Sequence, residues 1–137
     1  MSRGNGKRQK NGARIPPFVP LLWELLNSLA YKSLPTSASK ALPYFLGKVK
    51  LSPRDPERYE QAFEFSYREG RQVGFALATF SKVIQDLVKY GFIDPVDKGG
   101  LRGDCKSSNK FKLSKRWETF DSEKFQKVDW KSFHPQL

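Results

Sequence analysis

Thr79-Phe80-Ser81-Lys82-Val83-Ile84-Gln85-Asp86-Leu87-Val88-Lys89-Tyr90-Gly91-Phe92-Ile93 is the stretch on which the fold turns. Phe80, Val83, Ile84, Leu87 and Val88 recur at steps of three and four, which predicts a helix with one apolar face, running from Phe75 to Tyr90. Thr79, Ser81, Lys82, Gln85 and Lys89 fall on the opposite, polar face. Thr79 has a second reading as the N-cap of a helix that starts there, since its hydroxyl can accept from an unpaired backbone N–H. Gly91 is placed to stop the helix, and Phe92-Ile93 opens a strand.

Downstream, Phe92 to Val96 and Asn109 to Leu113 read as the two arms of a hairpin. The loop between them holds Gly99, Gly100 and Gly103 together with Lys98, Arg102 and Lys106, and Lys110 follows on the second arm. Such a tip is polar and exposed. Trp117 lies just past the hairpin and is expected to pack back on the core. The tail carries Phe120, Phe125, Val128, Trp130 and Phe133, too apolar for a solvated end. It is expected to dock on the domain, with a short helix near Ser122 to Lys127. The alternative is that its aromatics are held for a protein partner.

Upstream, Phe63, Phe65 and Tyr67 alternate with Glu64, Ser66 and Arg68, the pattern of a half-buried strand. Leu21, Leu22, Leu25, Leu26 and Leu29 predict a first helix from Val19 to Tyr31 with one broad core face, leaving Trp23 off that face. Thr36 or Ser37 can cap a second helix running to about Lys48, which contains Pro43, marking either a start or a kink. Residues 1–16 read as a basic arm ended by Pro16-Pro17, either incidental or reaching a neighbouring groove or phosphates.

The formal net charge is +11, and its distribution is uneven. Nine of the eleven charges lie in residues 1–16, at +5, and residues 92–117, at +4. A field of that sign attracts polyanions, nucleic acid or an anionic surface. Catalysis finds little support. His134 is the single histidine and stands apart from any cluster of carboxylates. Cys105 is the single cysteine, so an internal disulfide and a multi-cysteine zinc site are both excluded. The Gly-rich loop lies inside a hairpin and is not a P-loop. The sequence therefore predicts no enzyme and no cofactor. The longest apolar stretch, Phe18 to Leu29, is too short and too polar for a membrane span, and the cysteine usage suits a reduced cytoplasm.

The unit spanning residues 75–117 (helix, Gly91, Phe92-Ile93, strand, basic loop, strand, Trp117) resembles winged helix-turn-helix domains of the kind found in replication and regulatory proteins of plasmids, phages and other mobile elements. The resemblance covers residues 17–117. It implies an α+β winged helix of about three helices, a short strand and a β-hairpin wing, acting on double-stranded DNA in replication initiation or transcriptional control. It further implies that Thr79, Ser81, Lys82, Gln85 and Lys89 face the major groove, and that Lys98, Arg102, Lys106 and Lys110 form the wing on phosphates. A homodimer on paired half-sites is compatible with it. One departure stands out. A strand-bearing segment near residues 51–73 separates the expected second helix from Phe75, where a tight turn between helices belongs. Either that segment is an inserted β-arm, or the second helix lies elsewhere. A rival reading makes the domain a protein-interaction module that uses Trp23, Trp130 and Phe133. RNA binding would need exposed aromatics on a sheet, whereas Phe63, Phe65 and Tyr67 read as core.

Overall fold

A computed structural model describes residues 15–99 and 109–134. Within them the chain is α+β, with five α-helices and one three-stranded antiparallel sheet. The helices are α1 (Trp23–Leu26), α2 (Leu29–Ser33), α3 (Thr36–Leu46), α4 (Tyr67–Val73) and α5 (Leu77–Lys89). The strands are β1 (Phe63–Glu64), β2 (Ile93–Asp97) and β3 (Lys110–Leu113), in the order β1-β3-β2. Two 3-10 turns, Pro56–Tyr59 and Arg116–Thr119, complete the framework.

Helix α5 is the centre of the core. Phe80, Val83, Ile84, Leu87 and Val88 are all buried, as the spacing predicts. Helices α3 and α4 and strand β2 all pack on α5, and β3 pairs with β2. Phe80 is the aromatic hub. Its ring lies 5.4 Å from that of Phe65, 5.8 Å from Tyr67, 6.0 Å from Phe75 and 6.2 Å from Phe45. Gly70 on α4 leaves room for that ring, because a Cβ there would come within 2.5 Å of it.

The hairpin forms where the sequence places it, within a residue at each start. Ile93 pairs with Leu113, Asp94 with Lys112 and Pro95 with Phe111, with a register shift between Pro95 and Asp97. Pro95 is tolerated because β2 is an edge strand, where a missing N–H leaves no gap in the ladder. Gly91 has φ +89°, a value that strains any residue with a Cβ, and it brings the chain against Trp117. Trp117 is buried and stacks on Phe92 with 6.2 Å between ring centroids.

Several expectations are corrected. The predicted first helix is two short helices, α1 and α2, broken at Asn27-Ser28, where the Ser28 hydroxyl accepts from the Tyr31 N–H. The break resets the helical phase, so of the five leucines only Leu25 is buried, while Leu21, Leu22 and Leu29 are exposed. Helix α3 begins at Thr36 with no side-chain cap, so neither Thr36 nor Ser37 is the N-cap. Pro43 sits inside it. The strand read through Tyr67 stops at Glu64, and Ser66 starts a helix instead. The helix expected from Phe75 begins at Leu77. The C-terminal tail docks, with Trp130 buried 5.3 Å from the ring of Phe111, but residues 122–124 are a bend and turn and 125–127 irregular, rather than a helix.

Candidate nucleic-acid interface

The segment near residues 51–73 ends in a helix, α4, which directly precedes α5. Ser66 and Glu69 form a reciprocal capping box at its start. The Ser66 hydroxyl accepts from the Glu69 N–H at 3.1 Å, and the Glu69 carboxylate accepts from the Ser66 N–H at 3.1 Å. Lys48, two residues past the end of α3, also donates to Glu69. Burial pushes the Glu69 carboxyl up, but the Lys48 ammonium and the Ser66 N–H outweigh it and hold the group below the ordinary glutamate range. Helix α4 ends at Gly74, whose φ of +113° turns the chain back. The Phe75 N–H donates to the Gly70 carbonyl at 3.0 Å, and α5 starts two residues on. The two helices are thus joined by only three residues, Gly74 to Ala76.

This turn sets which side of α5 meets solvent. Thr79, Lys82 and Lys89 are exposed, and Ser81 and Gln85 are half-buried. Ala76 is the N-cap of α5, so Thr79 lies inside the first turn and does not cap it. Lys82 has a structural partner: its ammonium donates at 2.8 Å to Asp86, whose side chain is 5 % exposed. That lysine neutralises a buried carboxylate one turn away, a task that competes with reading a base. Lys89 lies with its ammonium 5.6 Å from the Tyr90 ring centroid. Helix α4 adds exposed Arg68 and Arg71 to the same helix pair. Neither was singled out in the sequence, although the Ser66-x-x-Glu69 spacing signals the helix that carries them.

The hairpin cations are more occupied than their sequence suggests. Arg116 is committed to the interior. Its guanidinium donates to Asp94 at 2.6 Å, to the Val88 carbonyl at 2.8 Å, to the Ile93 carbonyl at 3.0 Å and to the Gln126 carbonyl at 2.9 Å. It thereby ties the last turn of α5 to β2 and to the tail. Lys112 lies 3.8 Å from Glu60. Lys98 donates to the Lys131 carbonyl at 3.2 Å and sits 4.9 Å from the Trp130 ring centroid. Lys110 is half-buried and paired in register with Glu64 and Asp97. Arg102 and Lys106 lie outside the described residues, as do Cys105 and the basic arm up to residue 14. The base of the loop is closed by Asn109, whose buried side-chain oxygen accepts from the Gly99 N–H at 2.9 Å.

The structure therefore gathers Thr79, Ser81, Lys82, Gln85 and Lys89 on one helix, and sets Lys98 and Lys110 at the hairpin that follows it. Of the three aromatics in the interaction-module reading, Trp130 is buried and Phe133 stacks on it at 6.4 Å, which leaves Trp23 exposed. No helix among the described residues is long and apolar enough to cross a membrane. Comparison with known protein families, with curated proteins and with solved structures finds no match to this chain.

Proposed function

We propose that this domain is a winged helix-turn-helix that binds duplex DNA, with α5 in the major groove and the β2–β3 hairpin along the adjacent backbone. The observation that carries the reading is the pair α4–α5, joined through left-handed Gly74, with a polar face of α5 turned to solvent and a hairpin directly after it. A major groove about 12 Å wide accepts a helix of this kind. Thr79, Gln85 and Lys89 offer short and long polar groups to base edges, with Ser81 at the flank. Lys82 contributes where its bond to Asp86 exchanges for one to DNA. Lys98, Arg102, Lys106 and Lys110 take phosphates, as do the cations of the arm. A role in replication initiation or transcriptional control of a mobile element rests on the sequence resemblance alone.

The net charge of +11 supports a salt-dependent affinity. If about four to six phosphates are neutralised, log K falls against log salt with a slope of about −4 to −5. Fluorescence anisotropy with a labelled duplex at several salt concentrations measures it. A slope near zero, or no binding at low salt, refutes the proposal.

A further inference from the structure

Arg58 is the only lysine or arginine buried among the described residues, at 5 % exposure. It lies in the 3-10 turn Pro56–Tyr59. Its Nε–H is buried and meets no acceptor. Among the described residues no carboxylate forms an ion pair with it, whereas Arg116 has Asp94. A guanidinium taken out of water without a counter-charge opposes folding, and arginine does not shed its proton to relieve the burden. Arg58 also borders a hollow of about 20 Å³. We propose that this hollow is a binding site for a monatomic anion of the size of chloride, held by Arg58 and Ser114.

Size, lining and field all favour such an ion. One water-sized particle needs about 10–15 Å³, so the hollow takes a single small occupant and neither a phosphate nor a carboxylate. Arg58 and Ser114 are the buried polar side chains of its wall, and no acidic residue lines it. Leu25, Leu46, Phe92 and Leu113 make much of the rest. The Ser114 hydroxyl already accepts from the Arg116 N–H at 3.0 Å, so its own proton is available to donate. Both polar groups therefore offer protons. A water here would accept from them, but it would turn its own protons toward apolar walls and leave the charge of Arg58 uncancelled. An anion accepts from both, donates nothing and cancels that charge. The surrounding field has the same bias. The Arg58 guanidinium lies 5.9 Å from the Tyr59 ring centroid, and the Lys115 ammonium lies 4.8 Å from the same ring. Among the described residues Lys115 has no carboxylate partner either. Two cations around one ring raise the local positive potential. So placed, the anion joins the Pro56–Tyr59 turn to Ser114, the residue that follows β3.

The hollow shares no residue with the polar face of α5, so the inference stands or falls separately from DNA binding. Thermal unfolding of the full chain is followed by circular dichroism while chloride replaces gluconate, a far bulkier anion, at constant sodium from about 5 to 300 mM. The Tm is expected to rise by about 2–5 °C and then level off, because an ion that binds only the folded chain stabilises it. Arg58→Met puts an apolar side chain of similar length in place of the cation. It is expected to fold and to abolish the rise. Ser114→Ala is expected to weaken the chloride affinity by about threefold or more. A Tm that ignores chloride, or an equal rise in folded Arg58→Met, overturns the inference. If Arg58→Met does not fold, anomalous scattering from crystals of the unmodified chain grown in bromide decides. A bromide peak within about 3.5 Å of an Arg58 nitrogen is expected, and a water in its place overturns the inference.

Discussion

Residues 21–29 and residues 80–88 carry apolar side chains at the same helical spacing, and the structure treats them in opposite ways. In the second stretch Phe80, Val83, Ile84, Leu87 and Val88 are buried on one uninterrupted helix. In the first the helix breaks at Ser28, Leu25 alone is buried with Leu26 half-buried against the core, and Leu21, Leu22, Trp23 and Leu29 are exposed. Period places residues on one face only while the helix continues. What covers that face is a separate question, settled by the elements that pack on it. Helices α3 and α4 and strand β2 cover the apolar face of α5. Among the described residues, no element covers the exposed side chains of the first stretch.

The contrast can be broken most severely at Phe80. Phe80→Ala is expected to cost about 3–5 kcal/mol, because it empties the space between Phe45 of α3, Tyr67 of α4, Phe65 and Phe75. Urea unfolding measures it, and a loss below about 1 kcal/mol would mean that α5 is not the centre of the core. Arg116→Ala is expected to cost about 2–4 kcal/mol. It removes four charge-assisted hydrogen bonds and leaves the Val88 and Ile93 carbonyls without that donor. The same unfolding experiment reads it, and faster amide exchange at residues 93–97 is expected to accompany the loss.

A smaller effect sharpens the start of the helix pair. The folded pKa of Glu69 is depressed, so in acid the unfolded state binds more protons than the folded one. The stabilisation by Glu69 is complete above the ordinary glutamate range and is lost as pH falls through the lower, folded pKa. Glu69→Gln is expected to flatten this part of the profile when urea midpoints are compared between about pH 7 and pH 3. The smallest effect belongs to the first stretch. Trp23→Ala is expected to change stability by no more than about 0.5 kcal/mol. A large loss there would show that the outward side chains contribute to the fold.

Local chemistry explains what could be read from the residues alone. The α5 stripe, the stop at Gly91 and the two hairpin arms each follow from signals contained within a few residues. Helix α4 was hidden by a stronger signal of the wrong period. Phe63, Phe65 and Tyr67 alternate like a strand, yet the strand lasts two residues and the Ser66–Glu69 capping box takes over. The polar set on α5 was legible as a face. That Asp86 lies buried beneath Lys82 was not, because i,i+4 spacing reveals a possible pair and not the burial of one member. The contacts of Arg116 reach across 10 to 28 residues of chain, beyond the range of any local pattern.

The placement of α5 in a DNA groove is tested most directly by backbone amide NMR spectra of the full chain, recorded while a short duplex is added. The account predicts that the largest shifts fall on the exposed face of α5, around Thr79, Lys82 and Lys89, and on the β2–β3 hairpin, with residues 15–29 little changed. Shifts confined to residues 15–29 and 118–121, or none at all at low salt, would contradict it.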